Sequence, residues 1–271
     1  MEKGNKVVVI TGASSGIGKA LAFAYAKEKC NLVLGARNID QLNEISIQLK
    51  VYGASVLTVA TDVTIESDCK NLIAKSVERF GGIDVLINNA GISMRALFTD
   101  VSLDVIKELM DVNFWGTVYC THFAMPYLLE RKGSLTGVIS IAGFVGLPGR
   151  SGYSASKFAV RGFLDTLRIE NLKKGLHVLV VAPGFTSSNI RFTARTADGS
   201  PQGESPRDES GMMSAEDVAE AIVSAIRRRK SSLILTFVEG KFTVLLSKLF
   251  PRLLDRLAYN HMAKEPNSPF K

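Results

Sequence analysis

The sequence has few residues of the kinds that build metal sites and disulfide frameworks. Its 271 residues include three cysteines, Cys30, Cys69 and Cys120, and three histidines, and neither set has the close spacing of metal ligands. An odd number of scattered cysteines is typical of free thiols in a reducing compartment. We therefore expect no metal and no disulfide framework.

Long apolar runs are also missing. No stretch approaches 18 uninterrupted apolar residues, and residues 1–6 run directly into an apolar strand without the pattern of a signal peptide. We therefore expect neither a membrane-spanning helix nor a signal peptide, and a cytoplasmic location.

The formal net charge of +7 is confined to the C-terminal segment. Residues 227–271 hold ten Lys or Arg and three Asp or Glu, whereas the first 226 residues hold 23 of each sign. Neither a nucleic-acid recognition motif nor interleaved aromatic residues accompany the basic segment. We therefore do not expect nucleic acid among the partners.

The chain alternates apolar strands with helical segments. Continuous β-branched runs such as Val7–Ile10 are typical of strands buried on both faces. The alternation repeats six times, which indicates the βαβ units of a doubly wound parallel sheet. We predict an α/β Rossmann-type fold of about seven strands over residues 1–238, with strands at 7–10, 31–37, 55–62, 84–87, 137–143, 177–182 and 231–237.

A glycine-rich turn follows the first strand and begins the first helix. Its sequence is Thr11-Gly12-Ala13-Ser14-Ser15-Gly16-Ile17-Gly18. Glycines let the backbone approach a phosphate closely, and the start of a helix supplies unpaired N–H groups and a positive dipole. The turn is predicted to bind the pyrophosphate of a dinucleotide through Gly12, Ser14, Ser15, Gly16, Ile17 and Gly18; the alternative is a tight turn without a ligand.

No acidic residue stands at the end of the second strand. A carboxylate there would bind the adenosine ribose of NAD, whereas a cation accommodates the 2′-phosphate of NADP. The tip carries Ala36 and Arg37, and the first acid is Asp40. This favours NADP(H) over NAD, and the alternative for Arg37 is an ordinary exposed loop side chain.

Further polar residues and glycines follow the later strands. The carboxyl ends of parallel strands form the edge where open α/β sheets bind ligands. We predict cofactor contacts there from Asp62, Val63, Asn89, Ala90, Gly91, Pro183, Gly184 and Ser188.

Tyr153 and Lys157 lie four residues apart in a predicted helix, and therefore on one face of it. A nearby cation stabilises phenolate, so we expect the pKa of Tyr153 to fall from about 10 toward the working pH. Such a phenol can give or take a proton at a carbonyl or alcohol oxygen. By itself, however, this spacing is common on ordinary helix surfaces.

The same residues occur together in one protein family. Over about residues 5–237 the chain resembles the short-chain dehydrogenase/reductase (SDR) family, through Thr11-Gly12-x-x-x-Gly16-x-Gly18, Asp62, Asn88-Asn89-Ala90-Gly91, Asn113, Ser140, Tyr153-x-x-x-Lys157 and Pro183-Gly184. Ser140 precedes Tyr153 by 13 positions, the usual interval in the family. One departure is Ile139, where many members have a second serine.

The resemblance implies roles for four catalytic residues, Asn113, Ser140, Tyr153 and Lys157. Tyr153 is the implied general acid and base, and Lys157 lowers its pKa and, like Tyr153, contacts the cofactor. Ser140 binds the substrate oxygen, and Asn113 holds a relay water. The implied protein is a nicotinamide-dependent oxidoreductase that forms a homodimer or homotetramer; the alternative is a catalytically idle NADP-binding sensor or scaffold.

Two segments lie outside the repeating pattern. Residues 189–213 are long, polar and rich in Gly, Ser, Pro and Arg, which predicts a lid loop. Residues 239–271 form a predicted extension, in which apolar residues recur at helical spacing beside basic ones and Pro251 should kink or restart the helix. The last 120 residues resemble membrane-associated members of the family, nearest the member 7B-like branch.

The amphipathic extension has several interpretations. It can pack on the protein's own core, on the substrate cleft or on a second subunit, or it can make a peripheral contact with a membrane interface. A long lid and a tail rich in Leu and Phe favour a roomy apolar pocket. The predicted substrate is therefore a lipophilic ketone, such as a 3-oxo lipid or a steroid-like or retinoid-like compound.

Overall fold

The structure is a computed structural model that describes residues 5–186, 190–204, 211–264, 268 and 270. Ser188, one of the predicted cofactor contacts, lies outside the described residues, as does part of the predicted lid.

Seven parallel strands form one sheet with the order β3-β2-β1-β4-β5-β6-β7. The strands are β1 (Val7–Thr11), β2 (Asn31–Ala36), β3 (Val56–Ala60), β4 (Val85–Asn88), β5 (Ser134–Val138), β6 (His177–Ala182) and β7 (Ser232–Ile234). The order reverses between β1 and β4, which opens a crevice at the carboxyl ends of these strands. The predicted Rossmann-type α/β fold is confirmed.

Helices cover both faces of the sheet. They are α1 (Gly16–Lys27), α2 (Ile39–Leu49), α3 (Glu66–Phe80), α4 (Leu103–Met110), α5 (Gly116–Glu130), α6 (Ser151–Glu170), α7 (Ala215–Arg227), α8 (Thr243–Leu249) and α9 (Pro251–Ala263). Val8 and Ile10 of β1 pack with α1, α2 and α7, whereas Val9 packs on the opposite face with α3, α5 and α6. Most strands are largely apolar because both of their faces are covered.

The fifth strand lies earlier in the chain than predicted. β5 ends at Val138, so Ser140 is not inside a strand but caps the following 3₁₀ turn (Ile141–Gly143), where its Oγ accepts a hydrogen bond from Ala142 N at 3.2 Å. The seventh strand is also shorter than the predicted 231–237. It ends at Ile234 because Thr236 adopts a left-handed φ of 63° and a π turn begins at Phe237.

The described residues of the C-terminal extension form two helices, α8 and α9, that meet at Phe250. Pro251 occupies the first turn of α9, which confirms the predicted restart. Val244, Leu246 and Leu254 are buried in the core cluster that includes α5 and α6. The rest of the predicted apolar stripe is 48–61% exposed, so packing on the core accounts for one side only; it comprises Phe242, Leu245, Leu249, Phe250, Leu253 and Leu257. Across the described part of the chain, no helix combines the length and apolarity needed to span a bilayer.

Candidate active site

Tyr153 and Lys157 lie in the first two turns of α6, and both are buried. Lys157 Nζ donates a hydrogen bond to Val138 O at 3.1 Å and lies 5.8 Å from the centroid of the Tyr153 ring. Both side chains line a cavity of about 150 Å³ beyond the carboxyl ends of the central strands. The predicted residues Ser140, Gly91 and Pro183 line the same cavity, so the fold brings together groups distant in the sequence.

Burial dominates the electrostatics of this pair. Burial raises the pKa of Tyr153, while the hydrogen bond with Ser140 and the positive charge of Arg150 act in the opposite direction. Burial also lowers the pKa of Lys157 to about 8. The prediction that the pKa of Tyr153 falls is therefore wrong for this structure, because desolvation of the phenol is the larger effect.

Asn113 sits in a π turn (Asp111–Trp115) between α4 and α5. Its side chain is bound on both ends: Oδ1 accepts a hydrogen bond from Ile92 N at 2.9 Å, and Nδ2 donates to Ile92 O at 3.0 Å and to Ser156 Oγ at 2.9 Å. A Cβ at Gly91 would lie 2.9 Å from Asn113 Oδ1 and 3.2 Å from Lys157 Nζ. Asn113 thus lies behind Gly91, next to Lys157, and does not itself line the cavity.

The glycine-rich turn packs closely against the end of β4. Gly12 has a φ of +64°, and a Cβ there would lie 2.8 Å from Ala90 Cα. A Cβ at Gly18 would lie 2.2 Å from Gly12 O, so the turn has no room for a side chain at either position. Ser15 precedes α1 without a side-chain hydrogen bond to the helix start. The arrangement suits a phosphate group, because backbone N–H groups at a helix start bind anions.

Asn89 braces this turn. Its Nδ2 donates hydrogen bonds to Thr11 O at 3.0 Å and to Gly12 O at 3.2 Å. Thr11 Oγ1 in turn accepts hydrogen bonds from Asn89 N and Ala90 N at 3.0 and 3.1 Å. The predicted cofactor contacts Asn89 and Ala90 therefore also have a structural task, which is to hold the phosphate-binding turn in shape.

The residues predicted to contact the adenosine half follow β2 and β3. Arg37 is exposed at the end of β2, and Gly35 O accepts a hydrogen bond from Ala13 N of the turn at 3.2 Å. Asp62 Oδ1 accepts hydrogen bonds from Thr64 N and Thr64 Oγ1 at 3.0 and 2.8 Å, so this carboxylate shapes its own loop. Val63 is buried and would be 2.8 Å from a Cβ at Gly116.

Comparison with known proteins identifies the family. A sequence model described as short chain dehydrogenase matches residues 6–199. The chain belongs to the short-chain dehydrogenase family. It is 35% identical over 271 residues to the Mus musculus protein named Dehydrogenase/reductase SDR family member 7B, a match covering 97% of this chain and 83% of the mouse protein. The predicted family and its 7B-like branch are thereby confirmed.

Two further matches extend the comparison. The Arabidopsis thaliana protein named 11-beta-hydroxysteroid dehydrogenase-like 4A is 40% identical over 231 residues, covering 83% of this chain and 75% of the relative. The crystal structure of a short chain dehydrogenase/reductase from Burkholderia phymatum in complex with NAD matches with a TM-score of 0.82 and 27% identity, covering 93% of this chain and 96% of that one. The short-chain dehydrogenase architecture therefore extends over nearly the whole chain.

The cavity of this short-chain dehydrogenase includes residues that sequence reasoning missed. They come mainly from the loop before α6 and from the chain after Gly184: Leu147, Arg150, Phe185, Thr186, Ile190 and Arg191. Arg150 had a usable signal, since it stands three residues before Tyr153. Arg191 had none, because its burial and its hydrogen bond from Nη2 to Thr186 O (3.0 Å) depend on the path of a long loop.

Residues 190–204 of the predicted lid are attached to the body of the short-chain dehydrogenase. Arg195 N donates a hydrogen bond to Ser93 O, and Arg195 O accepts one from Arg95 N, both at 2.8 Å. The Arg195 guanidinium binds both carboxylate oxygens of Glu108 on α4, at 2.8 and 2.5 Å. A bidentate pair of this kind holds the loop near the cavity with a defined orientation.

Proposed function

We propose that this protein is an NADP(H)-dependent oxidoreductase that interconverts a lipophilic ketone and the corresponding secondary alcohol. As a short-chain dehydrogenase it acts on alcohols or ketones with a nicotinamide cofactor; the choice of NADP and of a lipophilic substrate is the finer part of the proposal. The observation that carries it is that Ser140, Tyr153 and Lys157 meet in one cavity beside the phosphate-binding turn.

When bound, the nicotinamide cofactor supplies or accepts the hydride. The chain's own task is to bind the reacting oxygen and move its proton. In reduction, Tyr153 Oη gives a proton to the substrate oxygen while Ser140 Oγ donates a hydrogen bond to it; in oxidation, the phenolate takes the proton back. The hydrogen bond between Ser140 and Tyr153 supports this assignment, because it brings the two hydroxyl groups together.

Lys157 and Asn113 support this proton transfer. The pKa of Lys157 is lowered to about 8, so its ammonium can exchange a proton near physiological pH. Asn113 lies next to Lys157 across Gly91 and fixes Ile92 by two hydrogen bonds. We assign Asn113 the task of linking Lys157 to solvent through a water molecule, as the family resemblance implies.

The preference for NADP(H) rests on the end of β2. Arg37 is exposed there, and the next acidic residue along the sequence is Asp40, in the first turn of α2. A guanidinium at this position attracts the 2′-phosphate of NADP, whereas a carboxylate would bind the 2′-hydroxyl of NAD. The Burkholderia phymatum relative is in complex with NAD, so the fold alone does not select the cofactor and the local charge carries this part of the proposal.

The lipophilic substrate is supported by the cavity lining. Val138, Ile139, Leu147, Phe185 and Ile190 surround the groups that bind the reacting oxygen. The name of the Arabidopsis thaliana relative refers to a hydroxysteroid, which is a lipophilic alcohol. Each buried methylene group is expected to add about 0.8 kcal/mol, or roughly fourfold in kcat/KM, until the cavity is filled.

A ketone series tests the substrate class. The oxidation of NADPH is followed with 3-oxo compounds of rising chain length, with a steroid ketone and, as the polar control, with a keto sugar. We expect kcat/KM to rise with chain length and to fall to background for the Tyr153→Phe variant. Equal activity on the keto sugar would contradict a lipophilic substrate, and NADPH binding without turnover on any carbonyl would indicate the idle sensor or scaffold instead.

The C-terminal helices support a peripheral membrane contact at the cytoplasmic side, with residues 1–238 as the catalytic unit and 239–271 as the extension. Exposed leucines recur every fourth residue, and from Lys248 onward a basic residue precedes each one: Leu245, Lys248, Leu249, Arg252, Leu253, Arg256 and Leu257. An apolar row beside a cationic row suits the headgroup region of a bilayer.

A homodimer or homotetramer is the other part of the proposal. Trp115, Phe158 and Ile169, in or next to α5 and α6, are 43%, 42% and 70% exposed. Apolar side chains gathered on two neighbouring helices favour contact with a second copy. The measurement that checks this is the mass of the particle in solution, by light scattering.

A further inference from the structure

Arg150 stands at the start of α6 and ties this helix to a distant part of the chain. Its Nη1 donates hydrogen bonds to Ser93 Oγ at 2.8 Å and to Met94 O at 3.0 Å. Ser93 and Met94 are 5% and 0% exposed, so the acceptor side of these bonds is buried, while Arg150 itself is half-buried. A guanidinium is planar and keeps its donors in a fixed geometry, which makes it suited to holding two acceptors in register.

The segment that Arg150 holds lies against Tyr153. Met94 and Tyr153 belong to the same small apolar cluster, and a Cβ at Gly152 would lie 3.3 Å from Met94 Sδ. Ala96 N also donates a hydrogen bond to Gly149 O at 3.0 Å. Asn113 fixes the other end of this segment through its two hydrogen bonds to Ile92. Arg150 and Asn113 therefore hold opposite ends of residues 92–94 beside the phenol.

Arg150 is also one of the positive charges around Tyr153. The others that line the cavity are Lys157 on α6 and Arg191 from the loop after Thr186, and within the described residues no Asp or Glu lines it. The pKa of Lys157 is lowered to about 8, so the ammonium loses its charge above that pH. An arginine keeps its charge to a pH of about 12. Arg150 therefore still gives the phenol a cation above the pH at which Lys157 becomes neutral.

We propose that Arg150 is a positioning residue of the active site, which holds the Ser93–Met94 segment against Tyr153 and supplies a permanent positive charge beside the phenol. The inference rests on the proposed role of Tyr153 as proton donor and acceptor. It adds a residue that the motif Tyr153-x-x-x-Lys157 does not include.

Three variants of the full chain test it: Arg150→Gln removes the charge, Arg150→Lys keeps it, and Arg168→Gln is the control. Arg168 lies on the same helix and binds Asp165 (Nη1 to Oδ1, 2.5 Å), away from the cavity. The readouts are the pH profile of kcat/KM for alcohol oxidation, the Kd of NADP(H), and hydrogen exchange of residues 92–97 in the protein alone.

We expect Arg150→Gln to move the acidic limb of the pH profile, along which Tyr153 loses its proton, upward by about one unit, which lowers kcat/KM at neutral pH about tenfold. Exchange of residues 92–97 should become about tenfold faster because their anchor is lost. Arg150→Lys should retain the wild-type pH profile, and Arg168→Gln should change neither readout. The Kd of NADP(H) should stay within about threefold in all variants, because the phosphate-binding turn that is proposed to hold the cofactor is braced by Asn89 and Thr11 rather than by Arg150.

A pH profile of Arg150→Gln that coincides with the wild-type profile would overturn the proposal, even if its Tm falls, because a purely structural residue lowers stability without moving that profile. The proposal would also be overturned if residues 92–97 of Arg150→Gln exchanged their amide hydrogens at the wild-type rate. If Arg150→Gln does not fold, Arg150→Met keeps the aliphatic stem and serves as the neutral variant. Inactivity of the wild-type chain on every alcohol and ketone would instead refute the proposed function, while the exchange measurement would still decide whether Arg150 holds the segment.

Discussion

Lys157 Nζ is hydrogen-bonded to the carbonyl oxygen of Val138, the last residue of β5, at 3.1 Å. This bond holds the ammonium beneath the cavity, where the side chain is 4% exposed. Desolvation is the cause that lowers the pKa of Lys157 to about 8. A lysine that is charged in the unfolded chain and poorly solvated in the folded one destabilises the fold. In the proposed mechanism, this cost is accepted because Lys157 serves as a cation that can release its proton.

The Lys157→Met variant is expected to be more stable than the wild type at neutral pH. The unfolded chain binds more protons than the folded one between the folded pKa of about 8 and the unfolded value of about 10.4. The loss of stability that the buried Lys157 ammonium causes in the wild type is therefore complete below pH 8, and it becomes smaller as the pH rises through this window. After allowance for the lost hydrogen bond, the free energy of unfolding of Lys157→Met at neutral pH should exceed that of the wild type by on the order of 2 kcal/mol. Urea unfolding of both proteins at a series of pH values measures it.

A pH-independent difference between the two proteins would contradict this assignment of the burial penalty. The Lys173→Met variant is the control, because this lysine is exposed in the turn after α6. Its free energy of unfolding should be the same as that of the wild type at every pH.

The Tyr153→Phe variant is expected to lose turnover while it keeps its cofactor. The phenylalanine ring fills the same space but has no proton to give, and general acid–base catalysis contributes about 10²- to 10⁴-fold. Steady-state kinetics with NADPH and a lipophilic ketone should show a loss in this range, and fluorescence titration should show an NADPH Kd within about threefold of wild type. Tyr52→Phe, remote from the cavity, is the control; turnover retained in Tyr153→Phe would remove Tyr153 from the mechanism.

The sheet could be predicted where its strands are continuously apolar, as in β1, β2, β4 and β6, because helices on both faces force this composition. β5 was misplaced because it begins at Ser134 and contains Thr136 and Gly137. The Ser134 hydroxyl is satisfied by His177 Nδ1 on the neighbouring strand at 2.9 Å, in a register where Ser134 pairs with His177. Such a cross-strand partner is invisible until the strands are aligned.

In the candidate active site, too, some features could be predicted from the sequence and others could not. The spacing of Tyr153 and Lys157 placed them on one face of a helix. Their assignment as catalytic residues needed the whole set of motifs that the chain shares with the family. Burial of the phenol and the contact of Arg150 with Ser93, 57 positions away, depend on long-range packing. The sign of the Tyr153 pKa shift was therefore predicted incorrectly, since a local pair of residues does not reveal how far water is excluded from it.

The Arg37→Asp variant is expected to shift its cofactor preference from NADP(H) toward NAD(H). The substitution removes a cation that attracts the 2′-phosphate and introduces a carboxylate that repels it. Hydrogen bonds to charged groups contribute about 1.5–3 kcal/mol, so the ratio of the two Kd values should change at least tenfold to hundredfold. Lys50→Asp makes the same charge change on the turn after α2 and should leave the ratio unaltered. An unchanged ratio in Arg37→Asp would show that Arg37 does not read the phosphate.

The double variant Leu253→Asn/Leu257→Asn is expected to weaken binding to phospholipid vesicles. These two leucines are each 49% exposed on α9, next to Arg252 and Arg256. Full burial of a leucine side chain contributes about 1.5–3 kcal/mol. Removing two partly buried leucines from a lipid interface should therefore reduce the partition coefficient between vesicles and water more than tenfold. Vesicle co-sedimentation measures it, with Ile47→Asn on α2 as the control because Ile47 is 65% exposed outside the extension.

The charge row makes a separate prediction for the same assay. Arg252→Gln/Arg256→Gln should lower binding to vesicles that contain phosphatidylserine by about 1 kcal/mol per charge and leave binding to phosphatidylcholine vesicles unchanged. Added salt should reproduce this loss in the wild type, because the attraction is screened over about 8 Å at physiological ionic strength. If the leucine variant instead changes the oligomer mass and leaves vesicle binding unchanged, the row of exposed leucines is a subunit interface. We do not expect this result, because a symmetric contact between two copies would bring their two rows of arginines together. The repulsion between these rows costs free energy, and a lipid surface imposes no such cost.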